Sequence, residues 1–401
     1  MSQPYKTFNS TEFTDRDPEF ERVHTTLNEK NRGVLIFEGE RGSGKTTFLF
    51  ELYRRLNEAR ELRPFLISLF PYSAPEFRNH RNIWLNTERR FQKNDIPDIL
   101  NRLTNYLEIE PIETGDRDFQ KDYFARGLAY RALKTIPVLL VDSIYECSNE
   151  IRIEFEKYIL APILASERVF VILSGRGKRP IWSRPELINA DIIELGPLQD
   201  DFITEQLEKL DKQGKSKRDR SEYAAITDLS GGNPLIVRVM AETKKPLPAA
   251  LDDAINIIIQ DALPEETRRE DLEHIRPSIE KLALVNIPFR IPDVDEYIYG
   301  NDDPERRAKT NRLINLLLES YLLRYEGKGY QLNQSLIHAI RKYLVLKGQE
   351  TTYMEQLQKI SIKLQEEYPS AKAWYQRMLP TESSLTKHVF NSFNMSNTYF
   401  V

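Results

Sequence analysis

The stretch GVLIFEGERGSGKTTFLFEL, Gly33 to Leu52, sets a short apolar run in front of a glycine-rich turn and an amphipathic segment behind it. The turn, GERGSGKT from Gly39 to Thr46, matches GxxxxGK[ST] at every fixed position. Val34 to Phe37 read as a buried strand. Phe48, Leu49, Leu52, Tyr53 and Leu56 recur at helical spacing after the turn. Strand, loop and helix therefore come in the order a phosphate-binding loop requires. Glycines at 39, 42 and 44 allow tight turning, so that backbone N–H groups face phosphate oxygens at the positive end of the next helix. Lys45 is expected to reach the β and γ phosphates and Thr46 to hold Mg²⁺. Gly39, Glu40, Arg41, Gly42, Ser43, Gly44, Lys45, Thr46 and Thr47 are the candidate contacts of a bound nucleotide, ATP or ADP.

The rest of the chain bounds this reading. A length of 401 residues predicts two or three domains. A hydrophobic content of 40%, a charged content of 29% and a net charge of -4 describe an ordinary soluble protein and argue against a nucleic-acid coat. The one cysteine, Cys147, excludes an internal disulfide and fits a reducing compartment. The start, MSQPYKTFNS, lacks a basic and apolar leader pattern, and no apolar run reaches transmembrane length. The expectation is a cytoplasmic protein with no membrane partner.

Further strands are expected at Phe65 to Phe70, Thr135 to Ser143, Arg168 to Gly177 and Asp191 to Leu195. Apolar strands alternating with helical stretches predict a parallel five-stranded sheet covered on both faces, an α/β P-loop NTPase core over residues 1–200. The segment Lys209 to Tyr223 has no apolar periodicity and reads as a surface loop or frayed helix end with solvated basic residues. Helices dominate from Ser230 onward and predict a helical lid subdomain over 201–268. A hairpin at RYEGKGYQL between helices then outlines a winged-helix domain over 269–347. A helical C-terminal segment, 348–401, follows.

An NTPase needs a second acid for the metal at a strand end beside the loop. Asp142, directly after VLLV, meets that need at the edge where open α/β sheets bind ligands. So apolar a run offers its carboxylate no obvious partner of its own. The residue after it, where many ATPases place a catalytic glutamate, is Ser143, and the nearest acid is Glu146. Glu146 is thus the candidate for orienting water, and its displacement argues for firm binding with slow turnover. Arg176, after the fourth strand, can offer the γ phosphate a fixed positive charge. Pro234, in SGGNPL, is pre-set for the first turn of a helix.

GERGSGKT, LLVDSIYE, LSGRG and SGGNPL, in this order, resemble the STAND class of signal-transduction P-loop ATPases, which includes the NACHT and NB-ARC families. The resemblance spans roughly residues 10 to 345 and implies an AAA+/ASCE-like core. It extends to FTDRDPEFERV, where Arg16 and Glu19 stand in the places of the class's short arginine-and-acid motif. It implies that Arg16 belongs to the nucleotide site, that Pro234 contacts the nucleotide and favours an ADP-bound closed form, and that Arg176 is the sensor arginine. Two departures stand out. Asn333 occupies the place of a histidine that many relatives carry after the wing hairpin, and only about fifty residues follow the winged helix where relatives usually add a long sensing domain.

The leading functional expectation is an ATP-dependent switch that rests with ADP and, on ATP exchange, self-associates or engages a protein effector under an unknown protein trigger. The alternative is a DNA-binding ATPase resembling the archaeal origin-recognition ATPases, and a third reading is a scaffold that binds nucleotide for stability. Charge separates the first two. Glu265 to Lys347 carries 14 Lys and Arg against 14 Asp and Glu, without the excess of positive charge that phosphate-binding domains usually show.

Overall fold

The structure is a computed structural model that describes residues 14, 16–29, 32–69, 83–85, 95–110, 116–132, 134–176, 179–263, 272–325 and 327–380. The first and last parts of the proposed domain spans, 1–13 and 381–401, lie outside the described residues, as do Phe70 and Gly177. The chain divides into two units, one of Met1–Gly39 with Ser43–Gly196, the other of Glu40–Gly42 with Pro197–Val401. Among the described residues, no helix is long and apolar enough to cross a membrane.

The first unit is built on a parallel sheet. Its strands are β1 (Gly33–Glu38), β2 (Leu62–Ser68), β3 (Ile83–Leu85), β4 (Ile136–Asp142), β5 (Phe170–Gly175) and β6 (Asp191–Glu194), in the order β3-β2-β4-β5-β1-β6. The five expected strands are present, and the short β3 adds a sixth. Alternate residues explain why these runs are apolar throughout. Leu35, Phe37, Leu66, Val138, Leu140, Phe170 and Ile172 pack on one face with Phe48, Leu49 and Leu52 of the helix Lys45–Asn57. Ile36, Phe65, Ile67, Leu139, Val141, Val171 and Leu173 pack on the other, with Ile99, Leu103, Phe124 and Leu128. A parallel sheet between two helical layers needs apolar side chains on both pleats. Pro137 is tolerated in the central β4 because it pairs with Arg63 of β2 before the pairing with β5 begins at Val138.

The register brings one residue of each strand to a common edge. Ser68 pairs with Asp142, and Glu38 pairs with Gly175. Gly175 is required there by close approach, since an added Cβ would sit 2.3 Å from the Tyr145 ring. That ring cannot swing away freely, because its hydroxyl donates to Glu38 Oε1 at 2.7 Å. Gly175→Ala is expected to lower stability by about 1–3 kcal/mol through overpacking. Urea unfolding at an unchanged midpoint would show that Tyr145 yields without cost.

Among the described residues, the second unit is helical, with one hairpin. Helices at Asp200–Lys212, Tyr223–Ser230, Pro234–Ala241 and Leu247–Ala262 share a core with those at Leu272–Leu284, Ile291–Tyr299, Arg306–Glu319 and Gln334–Lys347. The hairpin pairs β7 (Leu323–Tyr325) with β8 (Tyr330–Leu332), and Phe289 adds an antiparallel bridge to Tyr330. The helices Glu350–Glu367 and Lys372–Gln376 pack into the same core, where the fully buried Tyr375 donates to Asp293 Oδ1 at 3.2 Å and accepts from Arg290 at 2.7 Å. One expectation about 209–223 is corrected. Arg218 is not solvated but buried, with Nε on Met240 O at 2.9 Å and a second bond to Lys245 O, because the carbonyl of the buried Met240 needs a donor away from water.

Candidate functional site

The loop after β1 behaves as its glycines require. Gly42 and Gly44 adopt φ of 81° and 90°, a conformation that L side chains rarely take. Gly44 is also the N-cap of the helix Lys45–Asn57 and offers no side chain there. The first-turn N–H groups of Lys45, Thr46 and Thr47 have no acceptor within the helix and can serve an anion. Lys45 is buried and donates from Nζ to Gly39 O at 2.8 Å, while Thr47 is exposed. Ser43 Oγ is buried without a hydrogen-bond partner, so the loop retains an unsatisfied polar group.

Asp142 ends β4, and the structure corrects the expectation that its carboxylate has no partner within the protein. Oδ2 accepts from Thr46 Oγ1 at 3.0 Å, from Ser68 Oγ at 3.3 Å and from Ser143 Oγ at 3.3 Å, and Oδ1 accepts from Ser174 Oγ at 2.6 Å. Ser68 ends β2 and Ser174 is the last residue but one of β5, the strands on either side of β4; Thr46 stands in the first turn of the helix after the loop, and Ser143 directly follows β4. β5 lies between β1 and β4, so Ser174 stands between the two motif strands. Ser143 itself has φ of 61°, a strained value for a serine and one that clusters at functional sites. Ser68 and Ser174 were missed in the sequence, although each is a polar residue directly after an apolar run.

Glu146 and Arg176 meet. Arg176 Nε lies 3.2 Å from Glu146 Oε1, with side chains only 10% and 4% exposed. Burial pushes the Glu146 carboxyl above its ordinary range, Arg176 and Lys45 pull it back, and Asp142 pushes it up again. Its Oε2 is buried with no hydrogen-bond partner. Cys147 donates to Ile144 O at 3.1 Å, and burial pushes its thiol up to about 12.

Other candidates have engagements of their own. Arg16, at φ 80°, places its buried guanidinium on Gly196 O at 2.7 Å, Ser43 O at 3.2 Å and Glu19 at 3.3 Å. It thus ties the glycine-rich loop at Ser43 to Gly196 in the first unit. Glu40–Gly42 group with the second unit. There the Glu40 carboxylate accepts from Gln334 N at 2.6 Å and Ser335 N at 3.0 Å, and Arg41 pairs with Asp261 at 2.9 Å. Pro234 also belongs to that unit and opens the helix Pro234–Ala241 behind Asn233, whose side chain caps it and donates to Arg41 O at 2.9 Å. Asn333, the residue in the histidine's place, donates to Tyr321 O at 2.9 Å.

The site residues of the first unit fit a nucleotide with its metal. Thr46 and Asp142 could supply two oxygens to Mg²⁺, which takes most of its other ligands from phosphates and water. No protein-family model matches the sequence, and no curated protein matches it. Solved structures do. A Walker-type ATPase of Pyrococcus abyssi aligns at a TM-score of 0.52 and 15% identity, over 84% of this chain and 99% of that one. Weaker likenesses are the Thermotoga maritima RuvB Holliday junction branch migration motor, with a TM-score of 0.40, 13% identity and coverage of 84% and 95%, and the Aeropyrum pernix Orc1 protein in complex with DNA, with 0.42, 13%, 82% and 93%. By its parallel sheet and by the Pyrococcus likeness, the chain has the fold of a P-loop ATPase followed by a helical C-terminal region.

Proposed function

We propose that this protein is an ATP-binding molecular switch of the STAND class, slow to hydrolyse ATP, resting with ADP and self-associating or engaging an effector when ATP replaces it. The observation that carries the reading is the meeting of Thr46 and Asp142 at 3.0 Å on the sheet edge, beside a buried Glu146 held by Arg176. Loop N–H groups and Lys45 bind the phosphates. Thr46 and Asp142 would hold Mg²⁺, which when bound would supply positive charge beside the phosphates. Glu146 accepts a proton from the attacking water through a carboxylate that is buried and tied to a cation. A base that must first part from its cation supports slow turnover. The hairpin with its flanking helices is read as a winged helix that belongs to the switch.

The test is nucleotide extraction from the purified protein, followed by native mass spectrometry after exchange. ADP is expected in the protein as isolated, with a non-hydrolysable ATP analogue shifting the mass to multiples of the single chain. A single-chain mass with either nucleotide overturns the self-associating switch, and a chain that binds neither overturns the nucleotide reading.

Charge balance supports this function over a DNA-binding ATPase. Duplex DNA is expected to bind the full chain weakly, with a shallow dependence on salt, since the 265–347 segment has no net positive charge with which to release counterions. Fluorescence anisotropy at several salt concentrations measures this. Tight, steeply salt-dependent binding favours the DNA-binding alternative.

A further inference from the structure

Glu146 and Arg176 raise a question that binding alone does not answer. Both side chains are nearly inaccessible, yet only one carboxylate oxygen is engaged, while Oε2 is buried without a partner. A permanent buried ion pair is stable when the remaining lone pairs are satisfied, and leaving one bare is costly. The pair also stands among the phosphate-binding groups. Lys45 and Asp142 both act electrostatically on Glu146, and Arg176 follows the end of β5, next to the Ser174 and Gly175 that face Asp142 and β1. An arginine here has two possible anionic partners, the Glu146 carboxylate and the terminal phosphate of a triphosphate. The phosphate carries more charge and more acceptor oxygens.

We propose that Arg176 is a two-position residue that holds Glu146 when the terminal phosphate is absent and releases it to that phosphate when ATP is bound, so that the ion pair sets the preference for ATP over ADP. The proposal rests on the nucleotide reading given above. It assigns Glu146 a second task, as competitor for the arginine, beside its role toward water. In the diphosphate state the pair stays closed and Glu146 is neutralised by its cation. In the triphosphate state Arg176 turns to the phosphate, and both carboxylate oxygens become available to a water molecule. Part of the affinity for ATP is spent on opening the pair, which brings the two nucleotides closer in affinity and keeps the switch reversible.

The experiment is calorimetric titration of the full chain with Mg²⁺-ATP analogue and Mg²⁺-ADP in the parent, in Glu146→Gln, in Arg176→Lys and Arg176→Ala, and in the double variant Glu146→Gln/Arg176→Ala. Glu146→Gln frees the arginine and is expected to raise the preference for the triphosphate about tenfold. In the Arg176→Ala background the same substitution should change that preference less than about twofold, because only a general charge effect is left. Arg176→Lys should fall between, as a point charge lacks the guanidinium fork. Arg176→Ala leaves a buried carboxylate unpaired and can lower stability; if it does not fold, the single Glu146→Gln variant still decides, because an unchanged preference there is sufficient to overturn the proposal. An unchanged preference in Glu146→Gln overturns the proposal, as does an equal shift with and without Arg176. A parent protein that binds neither nucleotide fails the nucleotide reading instead, so the two failures are distinguishable.

Discussion

Lys45→Ala is expected to weaken binding of ATP and ADP about a hundredfold while leaving the protein folded. The Lys45 side chain is buried at the start of its helix, with Nζ 2.8 Å from Gly39 O, so the ammonium is folded back onto the loop that would hold the phosphates. A charge-assisted bond to a phosphate is worth about 1.5–3 kcal/mol, and 3 kcal/mol is roughly a hundredfold in affinity. In the protein without nucleotide, alanine forfeits the bond to the Gly39 carbonyl, a loss of about 1 kcal/mol, together with an attraction to the Glu146 carboxyl. Calorimetry with each nucleotide and a thermal melt without either separate the two effects. A folded variant with the parent's affinity excludes Gly39 to Thr46 as the phosphate site.

Asp142→Asn should remove the metal dependence of ATP binding rather than binding itself. The carboxylate accepts from four hydroxyls in the structure; an asparagine oxygen in the place of Oδ2 can go on accepting from three of them while its amide donates to Ser174 Oγ, so the fold tolerates the change at about 1–2 kcal/mol. The lost negative charge matters more where Mg²⁺ would lie. With Mg²⁺ the variant is expected to bind ATP at least tenfold more weakly than the parent, on the scale of one charge-assisted contact. With a chelator present the sign reverses: the variant should bind ATP at least as well as the parent, because an anion no longer faces the phosphates. Titrations with and without Mg²⁺ read both arms. The same drop in both conditions would assign Asp142 to the fold and not to the metal.

Two findings mark where pattern reading reached its limit. Ile83–Leu85, the sixth strand, is three residues long and flanked by polar and charged residues, too short for either periodicity to register. Arg218 looked like one more solvated charge in Lys209 to Tyr223, yet the carbonyls of Met240 and Lys245, more than twenty positions away, draw it inward. Local composition cannot report a buried acceptor that distant chain supplies.

By itself the sequence determined the glycine-rich loop between strand and helix, the strands around it, the change from α/β core to helices near residue 200, and the identity of Asp142 as the carboxylate at the sheet edge. These follow from short-range causes: glycine where the backbone turns with positive φ, apolar side chains on both pleats of a covered strand, helical spacing after the loop. Only the tertiary structure decided who meets whom. Asp142 takes its hydroxyls from Ser174, Ser68 and Thr46, which lie 32, 74 and 96 positions away. Arg176 faces Glu146, and Arg16 turns to the backbone of Ser43 and Gly196. Strand order and register select those partners, through pairing energies summed over the whole sheet, and no single stretch of sequence carries that sum.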